Sequence, residues 1–90
     1  PDAARFAIHK LLISAERPST ERAKAHKDID QAAQLLRRLA EERPSDIAPA
    51  WHAARERGKN WKRRLTRAQG ELPRDVQSGL EDLGIKRDSG

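Results

Sequence analysis

The sequence predicts an all-α fold, a small bundle of about five helices in which the first two form an antiparallel hairpin. Three observations carry this expectation. Strong helix formers, chiefly alanine, leucine, glutamate and arginine, dominate the 90 residues. β-Branched residues, the usual material of strands, are scarce. Proline or glycine recurs at intervals that divide the chain into helix-sized pieces.

The first helix runs from about Asp2 to Arg17 and stops at Pro18. Placed at about 100° per residue, Ala4, Ala7, Ile8, Leu11, Leu12 and Ala15 form its main apolar stripe, while Phe6 and Ile13 fall roughly opposite, in a band with Lys10 and Arg17. A helix that is apolar on two sides is covered on two sides, so this band is expected to meet a further partner. The second helix starts near Ser19 or Thr20, sets Glu21 in its positive first turn, and ends around Arg43 before Pro44. Its core stripe is Ala25, Ile29, Ala32, Ala33, Leu36, Leu39 and Ala40. Ser45 or Asp46 can cap a third helix, with Pro49 tolerated in its first turn and Gly58 placed to close it. Its face of Ile47, Ala50, Trp51 and Ala54 matches one of Trp61, Leu65 and Ala68 on a fourth helix, Asn60 to Gln69, so both tryptophans read as core residues or wedges between helices. A fifth follows Leu72-Pro73, with Val76, Leu80 and Leu83 at i, i+4 and i+7. Residues 1–84 thus read as one helical domain, and 85–90 as a frayed, flexible tail.

The composition excludes several classes. Alanine supplies 14 of the apolar residues, and Leu, Ile, Val and Phe together supply only 16 of 90, so the margin of stability is expected to be small. No run approaches the ~18 apolar residues of a membrane span, and nothing resembles a secretory signal. Without cysteine there is no disulfide framework and no thiolate metal site, and a cytoplasmic location is expected. A start at Pro1-Asp2 with no methionine suggests a chain processed or cut from a longer one. The excess of 19 Lys and Arg over 14 Asp and Glu, a net charge of +5, favours acidic partners such as nucleotides or RNA.

The sharpest local feature is Lys24 to Ala32, read with His9-Lys10-Leu11 and Arg17. Asp28 sits at the edge of the core stripe, beside Lys24, Gln31 and Leu35. A carboxylate there needs a cation, since burying it alone is costly and raises its pKa. Lys24 is one turn before it, and a hairpin closed at Pro18 to Thr20 also brings Lys10 or Arg17 near. On spacing alone this is an inter-helix ion pair that sets register.

These residues also carry a resemblance. Phe6 to Ser14, Arg17-Pro18, Lys24, Lys27-Asp28, Gln31-Ala32 and Leu35-Leu36, followed by Arg43-Pro44, Trp51, Arg57-Gly58, Trp61 and Leu65, resemble the stretch after the catalytic sheet in a bacterial family of nucleotidyltransferase-fold proteins. More distantly they are similar to abortive-infection nucleotidyltransferase toxins. The resemblance covers residues 3 to about 66. In that superfamily a Gly-Ser turn and paired acidic residues on an amino-terminal mixed sheet hold Mg²⁺ and the nucleoside triphosphate, and a helical domain closes over them. This sequence has no Gly-Ser followed by spaced acids; its Ser78-Gly79 runs in the reverse order. The resemblance therefore implies the carboxy-terminal helical region of a larger protein, inactive and without cofactor by itself, its partners a missing amino-terminal catalytic domain and a nucleotide. Lys10 and Asp28 match the family's helical lysine and acidic positions. Lys10, Arg17, Lys24 and Lys27 become candidate nucleotide contacts. Asp28 becomes the candidate catalytic residue, expected to orient Lys10 or Arg17 or to touch substrate rather than to bind metal. Gln31 stands where the toxins often have Asp.

A different reading rests on the basic run Arg55 to Arg67, where Lys59, Lys62, Arg63, Arg64 and Arg67 could track nucleic acid as a small basic binding module. A third is a helical protein-interaction domain, with self-association through Phe6 and Ile13. The three histidines lie on different helices with no metal-ligand spacing, so no metal site is expected. Ser14 follows His9-Lys10 by one turn but lacks any nucleophile-elbow context.

Overall fold

The computed structural model describes residues 2–87. Five α-helices fill them: α1 (Ala3–Glu16), α2 (Arg22–Glu42), α3 (Ile47–Arg55), α4 (Lys59–Gln69) and α5 (Arg74–Asp82), with short 3₁₀ turns at Ser19–Glu21 and Pro44–Asp46, and no strand among the described residues. Asp2 starts α1 as a side-chain cap, its Oδ1 accepting from the Ala4 and Arg5 amides at 3.0 and 3.2 Å. Pro18 ends α1, and the 3₁₀ turn after it lets α2 run back antiparallel along α1, the largest helix pairing in the molecule. The expected hairpin is therefore present, and α1 is the central element, packed also on α3 and α4.

Ala4, Ala7, Ile8, Leu11 and Leu12 of α1 are buried against Ile29, Ala32, Ala33, Leu36 and Leu39 of α2. Alanines at the seam let the two backbones approach closely, which is how few bulky residues close a core. Trp51 is wholly buried, the wedge its spacing predicts, although its indole N–H has no hydrogen-bond partner among the described residues. Trp61 is only half-buried, and Arg57 lies over its ring at 4.6 Å. Two members of the expected α2 stripe depart from it: Ala25 is half-buried and Ala40 exposed. At 21 residues against 14, α2 outruns α1, so its ends have less to pack against.

The carboxy-terminal end corrects the expected tail at its first residue. Ile85 is 1% exposed and belongs to the core. Gly84 turns the chain with φ +87°, and two bonds close the end of α5: the Ile85 amide donates to the Leu80 carbonyl and the Gly84 amide to that of Glu81, both at 2.9 Å. This is the Schellman arrangement, which folds the following apolar residue back onto the helix. Residues 88–90 of the expected tail lie outside the described residues. A second device ties α5 to α2. Arg37 donates from Nε and Nη2 to both oxygens of Asp75, at 2.8 and 2.9 Å.

Ile85→Ala is expected to lower unfolding free energy in urea by about 2–5 kcal/mol, as for a core isoleucine. Lys86→Ala next to it should stay within about 0.5 kcal/mol. The hydrogen bonds from Arg37 hold the Asp75 carboxyl below its ordinary value. Because the folded pKa is the lower one, that contribution is present above the usual aspartate range and is lost as pH falls through it. Urea unfolding midpoints of the wild type and of Asp75→Asn, measured across pH, should accordingly converge at low pH and separate near neutrality, wild type the more stable.

Candidate functional site

The site is built on the α1–α2 hairpin. Asp28, one turn into the region where α2 meets α1, is 3% exposed, more deeply buried than its edge position in the stripe predicts. Arg17, the residue that ends α1, donates from Nε to Asp28 Oδ2 at 2.7 Å, and Lys10 Nζ lies 3.6 Å from Oδ1. Both of the cross-hairpin cations that the sequence brings near Asp28 are thus on it, one per carboxylate oxygen. Lys24, the third candidate, is not; it is exposed and reaches Glu21 Oε2 at 3.9 Å. An i−4 lysine on the same helix cannot reach inward to a carboxylate that points at the neighbouring helix. Glu21 also accepts from Arg17 Nη1 at 3.3 Å, so Lys10, Asp28, Arg17, Glu21 and Lys24 form one chain of alternating charge. Its three cations and two carboxylates leave it one positive charge in excess. The Asp28 hydrogen bond raises the Arg17 pKa above the ordinary arginine value, so this guanidinium never titrates in the working range.

Lys10 is the member of this chain that faces outward at a recess. Its side chain keeps 25% of its surface exposed, and its ammonium lies 5.8 Å from the centre of the Phe6 ring. Phe6 itself is 54% exposed, the only large hydrophobic residue so exposed among those described. The second apolar band of α1 is therefore uncovered at Phe6, while Ile13 is half-buried. Between α1 and α2 a shallow groove of about 400 Å³ is lined by Phe6, Lys10, Gln31, Gln34, Leu35 and Arg38. On the other side of Phe6, a cleft of about 520 Å³ opens between α1, α3 and α4, with Trp61 and Arg57 in its far wall. Phe6 is the ridge between them.

The groove adds residues that the sequence reading did not single out: Gln34 and Arg38, and Gln31 as a lining amide rather than a lost acid. The signal was present, since 31, 34, 35 and 38 share one helical face with Lys24 and Asp28, but only the docked position of α1 makes that face one wall of a recess. Lys27 lies on the exposed side of α2, away from these contacts. In the second cluster, Arg64 is drawn to Glu16 of α1 at 2.5 Å, and Arg63 donates to Asn60. Lys59, Lys62, Arg63 and Arg67 are exposed.

Other chemistries find less. His9, His26 and His52 are exposed on three helices, and no group of three His, Cys, Asp or Glu that could hold a metal occurs among the described residues. Both oxygens of Asp28 are occupied by cations, a setting that repels Mg²⁺. Ser14 is buried and its hydroxyl donates to the Leu11 carbonyl at 2.7 Å, which commits it to the helix. No helix among the described residues is long and apolar enough to cross a membrane.

Breaking the buried pair should be the most damaging change here. Asp28→Ala leaves two cations facing each other in the hairpin, and Arg17→Ala leaves the carboxylate with only the longer Lys10 contact. Chemical unfolding should show losses of about 3–5 kcal/mol for Asp28→Ala. Lys10→Ala, which spares the 2.7 Å bond, should cost under about 1.5 kcal/mol.

Residues 1–56, more than half of the chain, match the model of a family described as nucleotidyltransferase. No curated protein and no solved structure matches the chain.

Proposed function

The chain belongs to this nucleotidyltransferase family, and from that premise we propose that it is the helical region that closes over a nucleoside triphosphate bound mainly by a catalytic sheet, with Lys10 contacting the phosphates. The observation that carries the reading is the way Lys10 is held. A flexible lysine is a poor catalyst because it must lose rotamer freedom to act. Here the buried Asp28 carboxylate anchors the ammonium at 3.6 Å while a quarter of the side chain stays open to the groove. The contact to Asp28 is an ion pair longer than a hydrogen bond, so the three ammonium protons remain to donate to phosphate oxygens.

Charge on the phosphates grows and shifts as a nucleotidyl group leaves pyrophosphate, and a fixed cation beside it lowers the barrier. Asp28 and Arg17 are positioning residues in this scheme: Arg17 neutralises one oxygen of Asp28, which leaves the other to hold Lys10. Arg38 and the Gln31 and Gln34 amides line the same groove and supply further donors, and the Phe6 ring gives it an apolar wall. Lys24 and Lys27 contribute positive potential rather than contacts. Mg²⁺ does not suit the residues of this chain, so no step runs through it here.

The test uses the full-length protein that joins these helices to a catalytic sheet, with nucleotide transfer as readout. Lys10→Ala should lower kcat by roughly 10²-fold, the usual loss for one donor to a developing charge, with stability nearly retained. Lys10→Arg should recover part of the rate. Unchanged kcat in a folded Lys10→Ala protein would overturn the proposal.

A further inference from the structure

We propose that the outward face of α4 is a binding track for the phosphate backbone of single-stranded nucleic acid, separate from the Lys10 groove and independent of its reading. The helix Lys59–Gln69 carries five cations and no acid. Several cations elsewhere are clasped by carboxylates on other elements or one turn away: Arg37 by Asp75, Arg43 by Asp46, Arg17 and Lys10 by Asp28. On α4, Arg64 is drawn inward, to Glu16.

Lys59, Arg63 and Arg67 recur every fourth residue, with Lys62 beside them, and all are exposed. Successive members of the row stand about 6 Å apart along the axis, at 1.5 Å per residue. A strand of nucleic acid repeats its negative charge at a comparable short interval, so a row of this kind can meet consecutive phosphates. The arrangement weakens the isolated helix in two ways. Like charges at i and i+4 repel, and Lys59 sits in a first turn without any acid to match the positive end of the helix dipole. A polyanion relieves both.

The head of the track adds a stacking surface. Arg57, two residues before α4, lies over the half-buried Trp61 ring at 4.6 Å. A guanidinium beside an indole offers π and cationic surface on which an unpaired base stacks, and a paired base in a duplex is not available for this. The combination therefore selects single strands over duplexes and carries no sequence code.

Fluorescence anisotropy with the full chain and a short labelled single-stranded RNA tests this. Binding should weaken with salt, log affinity against log salt having a slope of about −2 for three contacts. Combined Lys59→Gln, Arg63→Gln and Arg67→Gln should reduce affinity at least about tenfold at low salt and flatten the slope. A control with the same charge change, Arg22→Gln, Arg74→Gln and Lys86→Gln, should retain the slope; circular dichroism confirms that both variants stay helical. Equal losses in the two variants, absence of salt dependence, or tighter binding of duplex RNA would overturn the proposal. None of these outcomes bears on Lys10, whose variant is read by transfer rate.

Discussion

One buried carboxylate organises this molecule. Asp28 faces α1 from within the hairpin seam, and neither helix could bury it unless the other brought a cation. The Arg17 bond is short and direct, the Lys10 contact longer, and the two lie about two helical turns apart on α1. A shift of α2 by one turn would leave a charge unpaired, so the pair sets the register of the seam that the alanines leave smooth. Buried ion pairs add little net stability over apolar residues of the same volume, but removing one partner costs several kcal/mol. Specificity of alignment is therefore the better account of Asp28 in the bundle, and the same alignment aims Lys10.

That constraint propagates through α1. It is a short helix with neighbours on most sides, and it reaches them through small residues: Ala4 and Ala7 are buried, with Leu11 and Ile8 filling the wider gaps. Close approach of α2 on one flank and of α3 and α4 on the other leaves an uncovered strip that carries Arg5, Phe6, His9 and Glu16, with Lys10 half-buried at its edge. An exposed phenyl ring next to a fixed ammonium is an unusual thing for a chain with so little bulky apolar material to leave outside. The function proposed above rests on this strip and on the Lys10 ammonium at its edge.

Much of this was readable from spacing. Prolines and the 3.6-residue periodicity locate five helices to within about two residues, because helix boundaries here are set by local chemistry. The second apolar band of α1 and the convergence of Lys10, Arg17 and Asp28 follow from placing residues on two antiparallel cylinders. What escaped was tertiary. Ile85 looks like tail because it follows a glycine among polar residues, yet Gly84-Ile85 after Leu80 is the pattern of a helix end that folds an apolar residue inward. Lys24 shares the helical face of Asp28, yet the Asp28 carboxylate meets α1 while Lys24 stays exposed beside Glu21, a distinction of side-chain direction that periodicity alone does not resolve. Gln31, Gln34 and Arg38 acquire meaning only when α1 forms the opposite wall.

The distribution of charge follows from the same economy. A bundle poor in large side chains uses carboxylates as clasps, and each clasp fixes an arginine or lysine between elements: α1 to α2 at Asp28, α2 to α5 at Asp75, α1 to α4 at Glu16. An arginine spent in this way has fewer donors left for a ligand, whereas Lys10, on the longer contact to Asp28, keeps a quarter of its side chain exposed. The net excess of +5 then shows at exposed cations that no such clasp holds, among them Arg38 on the rim of the Phe6 groove, Lys59 and Arg67 on the outer side of α4, and Arg22, Arg74 and Lys86. Uncompensated charge at a surface costs folding free energy only modestly, because water screens it, but it raises the local concentration of anions steeply. The clasps that compensate for a thin core therefore also decide which cations are left to meet an anion.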